Sequence, residues 1–213
     1  MTTLVLAIDT STDVRVGLAA DGAVLASAAV TDSRAHAERL MPLVVSTLAE
    51  SGRTLAEVGQ LVVGVGPGPF TGLRVGVVTA HTLGFVLGVP VRGVCSLDAV
   101  AAGYDSSEGE FLALSDARRK EVYWARYAAD GTRLAGPFVT AVAELPDLPV
   151  TGPGAALAGG ASEALDGGLL ALAGPTLPDV GLSPLYLRRP DAEVSTTRKS
   201  TLLQPRLSVG RSR

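Results

Sequence analysis

Gly64-Val65-Gly66-Pro67-Gly68-Pro69-Phe70-Thr71-Gly72-Leu73-Arg74-Val75-Gly76 lies between an apolar run, Leu61-Val62-Val63, and a helical stretch. That order predicts a strand, a tight turn and a helix N-terminus, because glycine and proline at such a junction let the backbone turn sharply and approach a neighbour closely. The helix expected from about Phe70 to Leu87 carries Gly72, Gly76, Ala80, Gly84 and Gly88 at a spacing of four. Interior glycine costs a helix about 0.5–1 kcal/mol relative to alanine, so the stripe implies close approach of another segment. A second helix crossing at about −50° is the simplest candidate. No Gly-Lys-Ser/Thr follows the glycines, so this is not a Walker loop. A helix N-terminus behind a glycine turn could still hold an anion, but packing needs the same residues.

The 213 residues are enough for one large domain or two small ones, and 47% apolar against 18% charged residues implies a chain folded over most of its length. A net charge of −3 gives no general pull toward nucleic acid or an anionic membrane. Cys95 is the lone cysteine, which excludes an intramolecular disulfide, and no Cys/His spacing suits zinc. Met1 to Ile8 is apolar but lacks a basic leader and meets Asp9 at once, so it reads as a first strand rather than a signal peptide. No apolar run approaches the ~20 residues of a bilayer span without Gly, Pro or charge interrupting it. The expectation is a soluble, cytoplasmic protein.

The chain also contains a weak copy of its own beginning. Leu6-Ala7-Ile8-Asp9 opens a segment ending Ala19-Ala20-Asp21-Gly22, and Leu112-Ala113-Leu114-Ser115-Asp116 opens one ending Ala128-Ala129-Asp130-Gly131. Each reads as strand, aspartate turn, strand, Asp-Gly hairpin turn and strand. Two such β-meanders suggest two related lobes: an N-terminal lobe over residues 1–104 and a shorter C-terminal lobe over 105–194, followed by a basic tail over 195–213. In the first lobe Ser33 to Glu50 reads as a helix capped by Asp32 or Ser33, with Leu40, Val44, Thr47 and Leu48 on one side and Pro42 kinking it or marking its first turn. The tail holds Arg198, Lys199, Arg206, Arg211 and Arg213 and no acid; a disordered end is expected rather than an RNA-touching arm.

Several stretches together make the sequence resemble the TsaB (YeaZ) family, bacterial subunits of the machinery that makes threonylcarbamoyladenosine (t6A) in transfer RNA. They are Ala7-Ile8-Asp9-Thr10-Ser11-Thr12, His36-Ala37-Glu38-Arg39-Leu40-Met41-Pro42-Leu43, the glycine-rich run above, Asp116-Ala117-Arg118 with Glu121-Val122-Tyr123-Trp124-Ala125, and Pro184-Leu185-Tyr186-Leu187-Arg188. The resemblance covers the chain to about Ala192. It implies an α/β fold of the two-lobed, actin-like ATPase (ribonuclease H-like) type, with duplicated β-meander lobes each built on a five-stranded sheet.

The resemblance also bears on chemistry. The related transferase TsaD carries Asn-His-x-Glu-Gly-His, whose histidines hold a metal, where this chain reads Cys95-Ser96-Leu97-Asp98-Ala99-Val100. Ser96 and Val100 are poor ligands for a divalent metal, so no metal site is expected. In this superfamily the first hairpin binds phosphates, usually with a glycine after the aspartate. Asp9, Thr10 and Ser11 keep the aspartate and hydroxyls without that glycine, so they imply at most weak ATP or ADP binding, and Asp9 could equally be a turn-capping carboxylate. The second hairpin, Asp116 to Lys120, is bulky and basic. It could hold phosphate or pair with a partner's carboxylates.

The expected function is that of a non-catalytic scaffold that pairs with TsaD, supports the ATPase TsaE and meets tRNA indirectly. That complex transfers threonylcarbamoyl to N6 of adenosine 37 in tRNAs reading codons that begin with A. The family's pairing mode places Leu40, Met41, Val44, Val45, Gly72, Gly76, Ala80 and Gly84 on the two first-lobe helices at the interface, with Arg118 as a further contact, and the same patch could serve a homodimer. An ATP-dependent small-molecule kinase on the same fold is the alternative, and a zinc glycopeptidase a more distant one.

Overall fold

Runs of small and β-branched residues broken by an aspartate turn and an Asp-Gly turn make Leu4–Asp9 (β1), Val14–Ala20 (β2) and Ala23–Val30 (β3) an antiparallel meander. The computed structural model describes residues 3–31, 36–106 and 109–188. Asp21 and Gly22 both take left-handed backbone angles, φ 56° and 73°, which a two-residue hairpin turn requires and an Asp-Gly pair supplies at low cost. His36–Glu50 (α1) leads to Val58–Gly64 (β4), parallel to β1, and Phe70–Leu87 (α2) leads to Val91–Val94 (β5), parallel to β4. The five strands lie in the order β3-β2-β1-β4-β5. Gly88 ends α2 in a left-handed conformation, φ 67°. The N-cap expected at Asp32 or Ser33 lies outside the described residues, and Pro42 stands inside α1 rather than in its first turn.

Ser96–Ala102 (α3) connects to a second meander, Phe111–Asp116 (β6), Glu121–Tyr127 (β7) and Arg133–Ala141 (β8), joined by the short Val150–Thr151 (β9) parallel to β6. Its order, β8-β7-β6-β9, repeats the first sheet's but has four strands among the described residues, not the five that the family resemblance implies. The reason is in the connections. Between β8 and β9 the second half has only a 3-10 turn at Val142–Glu144, and after β9 only another at Ala155–Ala158. It therefore lacks the long helical crossover that would carry the chain back for one more parallel strand. The chain proceeds instead to Gly167–Ala173 (α4).

Alternation along β1 sorts the two faces of the first sheet. Leu4, Leu6 and Ile8 pack with Leu40, Val44 and Leu48 of α1 and with Val77, Ala80 and Leu83 of α2. Val5 and Ala7 pack on the other side with Leu97 and Val100 of α3, Leu170 and Ala171 of α4, and Phe111 and Tyr127 of the second sheet. Thus α3 and α4 form a shared middle layer between the sheets. The backbones of Gly17 on β2 and Gly167 at the start of α4 touch so closely that a Cβ on either would overlap the other chain segment. The second sheet's outer face, with Leu112, Leu114 and Val122, is covered by Val142, Leu145 and Leu148.

The glycine stripe of α2 faces inward. A Cβ at Gly72 would stand 2.6 Å from the Thr10 carbonyl oxygen, and one at Gly76 would overlap the Thr10 hydroxyl, while Gly84 makes room for Val91. What approaches the stripe most closely is the turn after β1 and the strand β5; from α1 the His36 ring comes within 3.6 Å of a Cβ at Gly72. This corrects the pairing residues inferred from sequence: Gly72, Gly76, Ala80 and Gly84 on α2, and Leu40 and Val44 on α1, are buried in the chain's own core. Close packing on β1 and β4 demanded those small and branched side chains. The exposed faces of the same helices carry Val45 (58% exposed), Val78 (62%), Phe85 (85%) and Val86 (71%), with Met41 half-buried between. By length and composition alone α2, with 18 residues, could cross a membrane; its inner face is instead part of the core of the first sheet.

The two roles of Gly76 give opposite signs for one substitution. Helix propensity alone would have Gly76→Ala raise stability by up to about 1 kcal/mol. The overlap with Thr10 should instead lower it by about 1–3 kcal/mol, while Phe85→Ser changes it by less than about 0.5 kcal/mol. Denaturant titration reads both, and a gain in the alanine variant would remove Thr10 as the reason for the glycine.

Candidate functional site: the cleft between the two β-turns

The turn after β1 is organised by a buried acid. Asp9, fully buried, accepts from the Ser11 N–H at 2.8 Å and the Ser11 hydroxyl at 2.6 Å through Oδ1, and from the Ser96 hydroxyl at 2.5 Å through Oδ2. Ser96 Oγ in turn accepts from the Gly66 N–H at 3.1 Å. The Thr10 hydroxyl donates to the Gly72 carbonyl at 2.7 Å. Two of the three residues assigned from sequence to a phosphate site therefore serve the fold: Asp9 and Thr10 are turned inward with their polar atoms engaged, and only Ser11 reaches the cleft wall. Asp9 behaves as the turn-capping carboxylate that its position allowed. Burial pushes its carboxyl above the ordinary carboxylate range, against the opposing effect of the Ser11 and Ser96 hydrogen bonds and of Arg15.

Ser96 and Val100, at the positions where the resemblance to TsaD would put metal-binding histidines, are buried in α3. Burial, with Asp98 nearby, pushes the Cys95 thiol up to about 12, so it is neither a thiolate nucleophile nor a ready metal ligand. Among the described residues no three His, Cys, Asp or Glu side chains are grouped to hold a metal ion.

Beyond this turn a cleft of ≈ 730 Å³ separates the two halves, lined on one side by Ser11, Thr12, Asp13, His36 and Thr71 and on the other by Asp116, Arg118, Pro153 and Ser162. Tertiary structure thus brings the two hairpins face to face across the cleft, at a size suited to a small-molecule ligand. The second hairpin holds an unusual conformation: Arg118, Arg119 and Lys120 all have positive φ, 65°, 54° and 62°. Each such non-glycine residue costs of order 1–3 kcal/mol and persists only where its surroundings impose it. Asp116 helps impose it, because Oδ1 accepts the Arg118 N–H at 2.6 Å and Oδ2 lies 3.2 Å from the Arg118 guanidinium. Arg188, at the end of the described chain, forms an ion pair with Glu121 just after this turn.

Sequence reasoning missed His36, Asp13 and Thr31 as cleft residues. The ring Nε2 of His36 lies 3.3 Å from the Thr12 carbonyl, and Asp13 pairs with Arg15 at 2.7 Å. The one available signal was the His36-Ala37-Glu38 run, which entered as a mark of resemblance without a role. Both carboxylates on the wall, Asp13 and Asp116, are engaged by arginines. Among the described residues the lining offers hydroxyls, a guanidinium and the His36 imidazole, with both carboxylates held by arginines.

Two sheets of one topology, a helical layer between them and a cleft walled by their equivalent hairpins define a protein of the actin-like ATPase class. The family model for TsaD, tRNA N6-adenosine threonylcarbamoyltransferase, matches residues 25–172. An uncharacterized protein of Mycobacterium tuberculosis is 45% identical over 205 residues, 89% of this chain and 93% of its own length. The tRNA threonylcarbamoyladenosine biosynthesis protein TsaB of Escherichia coli is 40% identical over 129 residues, 59% of this chain and 55% of its own length, so that match spans about half of the relative. The solved structure of YeaZ from Pseudomonas aeruginosa superposes with a TM-score of 0.69 at 29% identity, covering 87% of this chain and 100% of that one. The chain belongs to the TsaD family, within its TsaB (YeaZ) branch.

The buried Asp9 gives a signed pH dependence. Its folded-state pKa is raised, so the stability it contributes is full below the unfolded value of about 3.9 and is lost as pH rises through the folded one. Asp9→Asn removes that titration. The stability of the variant relative to wild type should therefore rise as pH goes from about 4 toward neutrality, read by denaturant midpoints at each pH. Parallel curves for the two proteins would mean that Asp9 does not titrate in that window.

Proposed function

We propose that this chain is a non-catalytic pairing subunit in the cytoplasmic formation of threonylcarbamoyladenosine at adenosine 37 of tRNAs reading codons that begin with A. Its partner in this reading is the transferase TsaD, with the ATPase TsaE joining the larger assembly and tRNA met indirectly. Family membership supports the pathway. The observation that carries the pairing role is the apolar outer face of α1 and α2: Val45, Val78, Phe85 and Val86 all stand in solvent, Phe85 at 85% exposure. A grouped apolar face of this kind marks a surface meant to be covered. The engagement of both described wall carboxylates, Asp13 and Asp116, by arginines supports the non-catalytic part. The cleft, with Ser11, Thr12 and Arg118 on its walls, is left for weak ATP or ADP binding. The same α1/α2 face serves a homodimer when the transferase is absent, so the two assemblies compete.

The test is co-purification with the transferase subunit, followed by assay of the modified nucleoside with each component left out. Phe85→Asp should weaken pairing at least tenfold without changing the melting temperature of the isolated chain, because Phe85 makes little contact within it. Unchanged affinity in this variant would move the interface off α2. Ala80→Trp is unsuitable for this purpose, since Ala80 is fully buried. Arg118→Glu reverses a charge at the cleft mouth and should weaken assembly in a salt-dependent way; unaltered assembly at low salt would remove Arg118 from the contact.

A further inference from the structure

The outer face of α2 holds a cation inside its apolar stripe. At 3.6 residues per turn Phe70, Arg74, Val78, His81 and Phe85 fall within an arc of about 80°, and all five are exposed. Arg74 is also held in place. The centre of its guanidinium lies 3.8 Å from the centroid of the Phe70 ring, and its Nε donates to the Tyr186 hydroxyl at 3.0 Å. The Phe70 and Tyr186 rings pack on each other with centroids 4.7 Å apart. Tyr186 is itself anchored, because the preceding Leu185 N–H donates to the Val65 carbonyl at 2.8 Å in the loop before α2.

That support engages the guanidinium through Nε alone, so its two terminal nitrogens are turned to no acceptor among the described residues. Nor does Arg74 form an ion pair with any described residue. An arginine already fixed on a ring and a hydroxyl has little rotamer freedom left to lose on association. An ordered arginine with aromatic neighbours in an apolar patch has the composition of an interface hot spot. Its charge also sorts partners. Phosphate chains are gripped by several cations together, whereas here a single guanidinium stands among apolar side chains, which suits one carboxylate. The helix Phe70–Leu87 contains no acid, so a second copy bringing its own α2 to this stripe supplies no counter-charge. On α1 the exposed acids Glu38 and Glu50 lie at the two ends, outside the stretch from Met41 to Val45.

We infer, on the pairing role proposed above, that Arg74 is the specificity-determining contact of the α2 face: it takes a carboxylate of a different protein and disfavours a second copy of this chain. In the contact with that protein the two terminal nitrogens meet the carboxylate side by side, and the flanking apolar residues exclude water from the pair. In the self-contact the same desolvation leaves the cation unmatched, which weakens binding. Removing the charge of Arg74 therefore acts with opposite signs on the two assemblies.

The test follows both assemblies with one set of variants, reading affinity for the transferase subunit in a binding assay and self-association of the isolated chain by sedimentation. Arg74→Met keeps the stem and drops the charge; it should weaken transferase binding about tenfold or more and tighten self-association about threefold or more. Arg74→Gln, which retains a donor for Tyr186, should repeat the pattern if the methionine variant melts below wild type. Tyr186→Phe removes the hydroxyl that holds Nε and should weaken transferase binding about threefold, yet add nothing in the Arg74→Met background. A Tyr186 that only supports the fold would give the same loss in both backgrounds. Phe85→Asp is the control for the pairing face. Loss of binding in Phe85→Asp with none in Arg74→Met would keep that face and overturn the role of Arg74. Unchanged binding in Phe85→Asp would remove the pairing face and the role of Arg74 with it. No gain in self-association on removing the charge, or equal weakening of both assemblies, would overturn the discrimination between partners.

Discussion

The burial of the Asp9 carboxylate at the tip of β1 is the constraint on which the rest of the molecule hangs. A carboxyl without solvent must be surrounded by donors, and here they come from two separate stretches of chain, with a third tied in behind them. Ser11 closes the turn onto it, Ser96 brings the start of α3 to it, and through Ser96 the Gly66 amide ties in the loop before α2. Gly64 must lack a side chain, because a Cβ there would overlap Asp9 Oδ2. Thr10, next in the chain, fixes α2 by bonding the Gly72 carbonyl. One carboxylate thereby sets the relative positions of β1, the glycine loop, α2 and α3, and with them the first wall of the cleft.

The same arrangement decides which groups face the cleft. The aspartate that could have faced a ligand is consumed in holding the fold, and the position that the TsaD comparison would give to a metal-binding histidine is occupied by the serine that donates to it. The opposite wall is treated similarly, since Asp116 holds both the backbone and the guanidinium of Arg118. What a ligand would meet is a set of hydroxyls with their nearest charges already paired. Cancellation of this kind leaves modest electrostatic pull. The apolar outer surface of α2, by contrast, has no counterpart among the described residues to cover it.

Much of the architecture was legible because its signals are local. The Asp-Gly turns, the strand-turn-helix order of the glycine run and the limits of α2 follow from backbone conformations that only a few residue types allow, and the structure has them at Asp21-Gly22 and at Phe70–Leu87. The duplicated meander was visible for the same reason. The site was less legible. Gly76 announced close approach, but whether the neighbour was another helix or Thr10 depends on a contact between residues far apart in the chain. Leu40 and Val45 lie five residues apart on α1 and look equally suited to an interface, yet one is buried and the other exposed. The pitch of the helix against the sheet decides between them. His36 and Arg118 come to one cleft only because two sheets stack through a shared helical layer.

The sequence by itself determined the elements, their order and the repeat, together with a resemblance specific enough to place the chain in its family, because propensity, turn chemistry and motif spacing act over a few residues. Only the tertiary structure decided which face of α2 is core and which is free, that Asp9 and Thr10 look inward, and that Tyr186 holds Arg74. Those outcomes depend on burial and on the position of groups tens of residues away. Nothing in the local sequence encodes how much water a side chain keeps.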